Sequence, residues 1–396
     1  MKTLIELYDE QAIHNVLATE VFHPDTTVII CPDSVNSNKQ ESLRRYFTQR
    51  NCEANLVFST VDMLNATAIA NRLREVASLY EDCAVDIAGG TDAALFAAGN
   101  VCAQMNIPAF TYSRRKNTFY EIQTAPFARA LPCNVKLRVS DSFLMAGGAM
   151  LEGRMNNQSL YEIMPMIDPF FRAYRRFRKE WITIITYMQK ASKSSGDLYV
   201  IAPRSVYAGR NLMIHADQTV LKLFERIGMI QDLSFAEDSV MFTYTSELTR
   251  FALRDVGSVL ELYVWKACMD SGVFDDVCLS AVVNWEGDVI RSDSVTNEID
   301  VACTRGVTPL FISCKTSEIK TEALNELAIL RDRFGAPTAR AVIVTSAVSS
   351  HDRAAMRRRA SELDITVLEQ RDLRRDLLIE RLISLSEMKN KKKKKE

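Results

Sequence analysis

Short apolar runs alternate with helical patterns through the first 112 residues, and no other feature limits the fold as strongly. Five strand-like runs are predicted, at residues 4–7, 27–31, 55–59, 84–88 and 108–112. Helical patterns lie between them, at residues 39–50, 66–80 and 93–105. This rhythm is typical of a parallel α/β sheet whose crossovers are right-handed.

The charge balance excludes one broad class of nucleic-acid-binding protein. Lys and Arg total 49 and Asp and Glu total 50, so the net charge is −1. A uniformly cationic coat for nucleic acid is therefore excluded, whereas a local basic groove is still compatible with the total. The length of 396 residues predicts two to three domains.

The cysteines and histidines indicate a reducing compartment without a zinc site. The nine cysteines include no C-x-x-C pair, and the four histidines include no pair at metal-ligand spacing. The N-terminus becomes acidic within ten residues, and no apolar stretch is long enough to span a bilayer. We therefore expect a cytoplasmic protein that does not bind a membrane.

A Gly-Gly-Thr turn follows the fourth predicted strand, in the segment VDIAGGTDAAL. Glycines allow a backbone to approach a ligand closely, and the helix start after them offers N–H groups to a phosphate. Polar loops after the other strands meet at the same edge of the sheet. This edge is a candidate anion site, although a plain turn with Thr91 as helix cap explains the same residues. The turn is neither a Walker A loop nor a G-x-G-x-x-G motif.

The middle of the chain is predicted to be a small connector. Residues 169–191 form a strongly basic helical stretch, in which Arg172 to Lys179 fall on more than one face. A solvated helix and part of a basic cleft both explain this stretch. Residues 196–250 contain a strand, a helix and a hairpin, and a winged helix is one candidate for them.

The last third of the chain carries an acidic strand followed by a strand that ends in Ser-x-Lys. Asp300 lies in NEIDV, and Ser313 and Lys315 end LFISCK. A carboxylate facing a lysine across two strands suits metal-assisted phosphodiester hydrolysis: Asp300 holds a divalent cation and Lys315 positions the attacking water. Oxygen ligands favour Mg²⁺ or Mn²⁺. A simple salt bridge between sheet residues is the alternative.

Two further carboxylates are candidates to complete this site. Most enzymes of this kind have an acidic residue two positions before the lysine, where this chain has Ser313. Glu261 is a lone charge in an apolar helix, and its burial is costly without a partner. Glu326 lies on the helix after Lys315, from which it could reach back to the same metal.

The strand pair NEIDVACTRG and LFISCKTS, preceded by GSVLELYVWKAC, resembles the PD-(D/E)xK nuclease superfamily over the last third of the chain. Its S-x-K form is similar to a subgroup whose glutamate has moved to the next helix. The resemblance implies a catalytic set with Asp300 as metal ligand, Lys315 as the lysine and Glu261 as the helix carboxylate. Glu326 takes the migrated role, and Ser313 stands at the vacated position. The implied Mg²⁺ or Mn²⁺ ligands are Asp300, Glu261 and Cys314.

The segment DIAGGTDAALFAAGN resembles the strand-turn-helix motif of CARF domains, which are Rossmann-like sensors of cyclic oligoadenylates in type III CRISPR defence. Joined to a C-terminal nuclease, it resembles CRISPR ancillary nucleases activated by cyclic tetra-adenylate. Asp92 stands where the motif commonly has lysine, and Arg114, Arg115 or Lys116 would compensate for its charge. The implied activator contacts are Gln11, Ser34, Gly89, Gly90, Thr91, Asp92 and Arg114.

The expected fold class is α/β, with a Rossmann-like CARF domain, a small connector and a restriction-endonuclease-like α/β/α domain. We expect the CARF domain at residues 1–160, the connector at 161–250 and the nuclease domain at 251–385. Residues 386–396 end in a lysine run and are expected to be a disordered basic tail. The resemblance also implies a homodimer in which two CARF sheets share one ligand.

The expected function is a metal-dependent nuclease that cyclic oligoadenylate activates. Single-stranded RNA and DNA are the expected substrates, and nicking of duplex DNA is left open. One rival is a CARF-controlled transcription regulator that reads DNA through residues 196–250 and carries a degenerate nuclease domain. Another rival is a repair or restriction nuclease that needs no activator.

Overall fold

The computed structural model describes residues 1–151, 157–192, 197–209, 212–287, 294–335, 339–347 and 353–387. Three modules follow one another along the chain: a seven-stranded sheet, a connector of helices with small sheets, and a six-stranded sheet. The predicted α/β fold class is thereby confirmed. Most of the predicted basic tail at residues 386–396 lies outside the described residues, which end at 387.

The first module is a sheet in the order β3-β2-β1-β4-β5-β6-β7. Strands β1 to β5 pair in parallel, as the sequence predicts, and the last two pair antiparallel. Its strands are β1 (Thr3–Leu7), β2 (Thr26–Cys31), β3 (Asn55–Thr60), β4 (Cys83–Asp86), β5 (Ala109–Ser113), β6 (Thr118–Gln123) and β7 (Leu131–Pro132). Its helices are α1 (Leu17–Phe22), α2 (Ser37–Gln49), α3 (Ala66–Leu79) and α4 (Asp92–Met105).

The link to the second module is α5 (Val139–Met145) followed by β8 (Ala149–Met150). Although the sequence assigns both to the first domain, β8 pairs with a strand of the C-terminal sheet. Phe143 of α5 packs against Phe311 and Phe334 of the same C-terminal module. The C-terminal layer therefore includes residues before the predicted boundary at 160, because its core needs the aromatic side chain of α5.

The connector begins with two helices in place of the single helix predicted at 169–191. These are α6 (Asn157–Arg176), which contains Pro165 and Pro169, and α7 (Trp181–Ala191). The other elements are β9 (Tyr199–Pro203), β10 (Ser205–Tyr207), β11 (Met213–His215), α8 (Gln218–Ile227), β12 (Ile230–Phe235), β13 (Ser239–Tyr244) and α9 (Glu247–Ala252).

The connector resembles a winged helix only in part. Strands β12, β13 and β9 form an antiparallel sheet, and α8 precedes the β12–β13 hairpin. The antiparallel pair of β10 and β11 stands between β9 and α8, where a winged helix has another helix. Among the described residues, α8 therefore lacks the preceding helix with which a winged helix forms the helix-turn-helix that reads the major groove.

The third module is a sheet in the order β18-β17-β16-β15-β14-β8, antiparallel from β14 to β16 and parallel from β16 to β18. Helix α10 packs in the core on one face, and α11 packs in the core on the other. The strands are β14 (Asp276–Asn284), β15 (Thr296–Arg305), β16 (Thr308–Lys315), β17 (Arg340–Thr345) and β18 (Ile365–Leu368). The helices are α10 (Ser258–Ser271), α11 (Thr321–Phe334), α12 (Arg353–Glu362) and α13 (Arg375–Ser386).

Two whole-chain expectations can be compared with the structure. All nine cysteines lie within the described residues, and each of them is a free thiol. No helix in the described ranges has both the length and the apolar character needed to cross a bilayer.

An ionic contact joins the first module to α5. Arg50, which follows α2, pairs with Glu20 of α1, and its Nη1 lies 3.4 Å from Oδ2 of Asp141. The Asp141 side chain is fully buried and also accepts a 2.8 Å hydrogen bond from Arg138 Nη2. Removing Arg50 would leave part of a buried acidic cluster without its counter-charge, which is strongly destabilising.

We expect Arg50→Ala to lower the free energy of unfolding by about 2–4 kcal/mol, measured by chemical denaturation. Arg72→Ala is the matched control, because it removes only an exposed i,i+3 pair with Glu75 and exposed pairs contribute about 0–1 kcal/mol. Equal effects of the two substitutions would show that the contact to α5 adds nothing.

Candidate active site

Asp300 lies where strands β15 and β16 separate. The ladder between them ends at the pair Val301 and Ile312. One residue beyond it, Oδ2 of Asp300 accepts a 2.6 Å hydrogen bond from the backbone N–H of Cys314. The carboxylate therefore satisfies an amide that lies beyond the last ladder pair.

The alternation of side chains breaks at the same point. Ile299 packs in the core beside α11, and Val301 packs in the core beside α10, although residues two apart on a regular strand share a face. Opposite them on β14, Leu279 and Ala281 show the same change of face around Ser280, whose φ is 52°. The sheet therefore changes face at Asp300.

Ser313 and Lys315 complete the contacts of this carboxylate. Oδ2 of Asp300 accepts a 3.2 Å hydrogen bond from Ser313 Oγ and lies 3.4 Å from Lys315 Nζ. The side chains are only partly shielded, with 17% of Asp300 and 34% of Lys315 exposed. The predicted meeting of Asp300, Ser313 and Lys315 is therefore what the structure shows, and the Asp–Lys pair stays open to a ligand.

Glu261 reaches the same place from helix α10. Burial, together with the negative charges of Asp300, Asp255 and Glu298, raises its pKa to about 8, and Lys315 acts in the opposite direction. Gly257, one turn earlier, leaves room for this carboxylate, because a Cβ there would lie 2.8 Å from Glu261 Oε1. In the metal-free protein Glu261 therefore keeps its proton at neutral pH.

Glu298 is a residue that the sequence analysis missed. It lies two positions before Asp300, and its charge is one of those that raise the Glu261 pKa. It is exposed on β15, so it stands at the rim of the site. The segment NEID does contain a second acid two residues before Asp300, the spacing of side chains that share one face of a strand. The change of face at Asp300, however, cannot be recognised from the sequence.

Glu326 lies apart from the carboxylates that act on Glu261. It is exposed on α11 and accepts a 2.7 Å hydrogen bond from Nδ2 of Asn297. Asn297 in turn accepts a 2.8 Å hydrogen bond from Trp285 Nε1. The migrated catalytic role predicted for Glu326 stays a prediction. Its side chain is hydrogen-bonded to Asn297, which lies three residues before Asp300 on β15.

The Cys314 side chain does not fit its expected role as a metal ligand. Burial raises its thiol pKa well above the ordinary value, and the charges of Asp300 and Glu261 add to this effect. A protonated, buried thiol is a poor partner for Mg²⁺ or Mn²⁺. Only the backbone of Cys314 contacts Asp300.

The carboxylates that remain suit a hard cation. Asp300 and Glu261 are both oxygen donors, and Glu298 stands close enough for its charge to act on Glu261. In the described ranges no group of three or more His, Cys, Asp or Glu side chains is arranged around one point to hold a metal. A cation at Asp300 and Glu261 would therefore complete its shell with water and substrate oxygens, as Mg²⁺ commonly does.

A second candidate site lies at the Gly-Gly turn of the first module. Asp9, which the sequence analysis did not single out, accepts hydrogen bonds of 2.9 Å from Gly90 N and 2.7 Å from Gln11 N. A Cβ on Gly89 would lie 2.8 Å from Asp9 Cβ, and Gly90 has a φ of 107°. Gly89 is thus required by close packing against Asp9 and Gly90 by its positive φ, and the Gly90 amide is already occupied.

The Thr91 hydroxyl and the Asp92 carboxylate occupy the start of α4. The hydroxyl of Thr91 accepts a hydrogen bond from Ala94 N at 3.2 Å and donates one to the Met63 carbonyl at 2.6 Å. The capping interpretation of Thr91 therefore holds in this structure. Asp92 is exposed in the first turn of the helix, and Ser34 is exposed in the loop after β2.

His14 stands close enough to both Asp9 and Arg114 for their charges to act on it. Burial lowers the His14 pKa; Asp9 acts in the opposite direction, and the charge of Arg114 lowers the pKa further. His14 is 6% exposed, and its Nδ1 has no hydrogen-bond partner among the described residues. Of the predicted activator contacts, the structure thus brings Gln11, Gly89 and Gly90 together around Asp9, and Arg114 lies close enough for its charge to act on His14.

Comparison with known proteins supports a nuclease at the C-terminal end. Residues 245–383 match the family model of the Card1-like endonuclease domain, about a third of the chain. The matched residues include Glu261, Asp300 and Lys315. The predicted nuclease resemblance of the last third is therefore confirmed. A search of curated proteins finds no significant match.

Two solved structures share the fold of the whole chain. Protein VC1899 from Vibrio cholerae superposes with a TM-score of 0.76 at 17% identity, covering 97% of each chain. Can2 from Sulfobacillus thermosulfidooxidans, solved in complex with cyclic tetra-adenylate, superposes with a TM-score of 0.70 at 14% identity. The superposition with Can2 covers 97% of this chain and 99% of the other. The arrangement of all three modules is thus a known one.

We expect Glu261→Gln to stabilise the metal-free protein increasingly as pH rises. The folded pKa of about 8 exceeds the ordinary 4.5, so Glu261 stabilises the fold only at acid pH and this contribution is lost as it ionises. The difference in unfolding free energy between variant and wild type should grow by about 2–4 kcal/mol from about pH 5 to about pH 9.

This difference is measured by chemical denaturation in a chelator. Glu237→Gln is the control, since Glu237 is exposed in the turn between β12 and β13. A difference for Glu261→Gln that does not change with pH would contradict the burial of an ionisable carboxylate at this position.

Proposed function

We propose that this chain, which carries a Card1-like endonuclease domain and shares the fold of Can2, is a metal-dependent nuclease that a cyclic oligoadenylate activates. The observation that carries the proposal is the Asp300–Lys315 pair, with Glu261 above it, inside the matched domain. Cyclic tetra-adenylate is the first candidate for the activator, because it is the ligand in the Can2 structure.

Asp300 and Glu261 would hold the cation, Mg²⁺ or Mn²⁺. When bound, such an ion polarises a phosphodiester and lowers the pKa of a coordinated water. Asp300 keeps its orientation through the Cys314 amide and Ser313, and Lys315 beside it would orient the attacking water and offset charge on the phosphate. The cleaved bond is a phosphorus–oxygen bond of the substrate backbone.

The raised pKa of Glu261 makes cation binding a proton exchange. Glu261 must lose its proton before it can act as a ligand, and its pKa without the cation is about 8. Affinity for Mg²⁺ or Mn²⁺ should therefore increase with pH through the neutral range. A cation also supplies the positive charge that the cluster of Asp255, Glu298 and Asp300 lacks.

The activator site would lie at the edge of the first sheet around the Gly-Gly turn. Asp9 connects the loop after β1 to the turn after β4 through its hydrogen bonds, so a ligand that contacts Gln11 would also affect the position of Gly90. Arg114 supplies positive charge at this edge and offsets Asp9 and Asp92. Ser34 offers an exposed hydroxyl from the neighbouring loop.

A homodimer would place two such edges around one symmetric ligand. Support comes from exposed apolar side chains near the turn: Leu64 is 81% exposed and Phe96 is 71% exposed. Met63, next to Leu64, accepts the Thr91 hydroxyl hydrogen bond, so this patch adjoins the start of α4. Apolar groups exposed to this extent are typical of a surface that another copy covers.

Single-stranded RNA and DNA are the proposed substrates, in antiviral defence within the cytoplasm. The exposed Arg172, Arg175, Arg176 and Lys179 offer phosphate contacts near the end of α6. Nicking of duplex DNA is a further activity to test. A cleavage assay on RNA, single-stranded DNA and supercoiled plasmid, with each cyclic oligoadenylate and each cation, separates these substrates.

The same assay decides between the proposal and its rivals. A protein that cleaves nothing and binds duplex DNA specifically would be a transcription regulator. A protein that cleaves equally with and without activator would be a constitutive nuclease.

We expect Asp300→Asn and Lys315→Ala to reduce activated cleavage by about 10²-fold or more, because Asp300 would hold the cation and Lys315 would offset charge on the reacting phosphate. Glu326→Gln should keep most of the wild-type rate, since its side chain is bound to Asn297. Lys136→Ala, at an exposed pair with Asp275, is the control for loss of a lysine. Full activity of Asp300→Asn would refute the site.

We expect Arg114→Ala to weaken binding of cyclic tetra-adenylate about tenfold, through loss of one charged phosphate contact. Isothermal titration calorimetry measures the affinity. Arg129→Ala serves as control, because its exposed guanidinium pairs with Glu121 in the same module. Unchanged affinity of the Arg114 variant would show that the activator does not bind at the Gly-Gly edge.

A further inference from the structure

The backbone of Lys315 is anchored just beyond the end of its strand. The parallel ladder between β16 and β17 ends at the pair Lys315 and Thr345. The Lys315 carbonyl accepts hydrogen bonds from Thr345 Oγ1 at 3.0 Å and from Ser346 N at 3.1 Å. Two residues at the end of β17 therefore fix the last residue of β16.

Ser346 is held in turn from the connector. Its side chain is buried, and its Oγ lies 2.7 Å from the hydroxyl of Tyr174 on α6. In the turn between α6 and α7, Arg178 donates to the Ser346 carbonyl. Thr345 and Tyr174 are also buried, so these hydrogen bonds are shielded from competing water.

The same connector helix contacts the helix that carries Glu261. Phe171 of α6 stacks on Tyr263 of α10, with ring centroids 3.8 Å apart and planes 9° apart. Asp168 of α6 lies 3.2 Å from Lys266 Nζ, also on α10. Helix α6 is therefore fixed against both α10 and the end of β17.

We propose that Thr345, Ser346 and Tyr174 are positioning residues for Lys315, and that α6 thereby sets the distance between Lys315 and the two carboxylates. The inference rests on the proposed function, in which Lys315 acts on the phosphate. It goes beyond that function, because none of these three residues touches Asp300 or Glu261.

The physical reason is the weak hold on the lysine side chain itself. Lys315 is 34% exposed, and its one described charged contact is the 3.4 Å approach to Asp300. A flexible four-carbon chain has several rotamers, so the position of its Nζ depends on where the backbone is held. Misplacement of a catalytic group by about 1 Å can cost about 10²-fold in rate.

The test compares Ser346→Ala and Tyr174→Phe, singly and together, with Tyr187→Phe. The control removes a similar hydroxyl, which donates 2.9 Å to the Pro203 carbonyl inside the connector. We expect each variant at the Ser346–Tyr174 contact to lower kcat about tenfold with KM and activator affinity unchanged. The double variant should be no slower than either single one.

Thr345 supplies a conservative rescue. Thr345→Val removes the hydroxyl that donates to the Lys315 carbonyl and should lower kcat, whereas Thr345→Ser keeps it and should restore the rate. If the Thr345 hydroxyl had a purely structural role, the two variants would differ in stability but not in kcat. Wild-type kcat in Ser346→Ala and Tyr174→Phe would overturn the proposal.

A second measurement does not depend on cleavage. Lys315 is labelled with an amine-reactive reagent, and its extent of modification is read by peptide mass spectrometry. Modification should be faster in Ser346→Ala and Tyr174→Phe than in wild type or Tyr187→Phe. Faster labelling in a protein that cleaves no nucleic acid would support the anchor and refute the nuclease. Unchanged labelling in both variants would overturn the anchor even in an active nuclease.

Discussion

The hydrogen bond from the Cys314 amide to Asp300 determines the geometry of the C-terminal site. It forms where the β15–β16 ladder stops, so the Asp300 carboxylate takes the amide of Cys314, two residues after the last β15–β16 pair. Because Asp300 is fixed to β16 in this way, Ser313 and Lys315 on the same strand necessarily stand beside it. The sheet therefore places the acid and the lysine side by side, and the exact position of the lysine Nζ is what remains to be fixed.

The carboxylates of the C-terminal site lie close together, and their mutual repulsion is electrostatically unfavourable. Burial and three neighbouring carboxylates raise the pKa of Glu261 to about 8, and Lys315 opposes them only in part. Without a cation the protein resolves this conflict by protonating Glu261. A bound cation would offset the repulsion between the carboxylates, and relief of this repulsion would contribute to the affinity for the cation. Gly257 is part of the same arrangement, since a side chain there would displace Glu261.

Local patterns in the sequence predicted most strands, and they predicted the Asp300–Lys315 pair, because strand ends and a lone buried charge are properties of short segments. The roles of Asp9 and Glu298 depend on interactions between segments far apart in the chain, so no local sequence pattern could predict them. The prediction of one helix at 169–191 failed for a related reason. The chain must turn after Arg176 so that α7 can pack Trp181 against Phe170 and Tyr174. Thr91 was open to two interpretations, and only the position of Met63 distinguishes them.

Helix α5 provides a route by which a change at the Gly-Gly edge of the first module can reach the C-terminal module. Leu144 belongs to the core under α1 and α2, whereas Val139 and Phe143 belong to the core between α11 and the C-terminal sheet. One short helix is therefore packed into two cores at once, and closely packed cores transmit displacement rather than absorb it. Movement of α1 or α2 would shift α5, and through Phe143 it would press on Phe334 at the end of α11. A ligand that binds two arrangements of the first module unequally would thus also bias the arrangement of the C-terminal one.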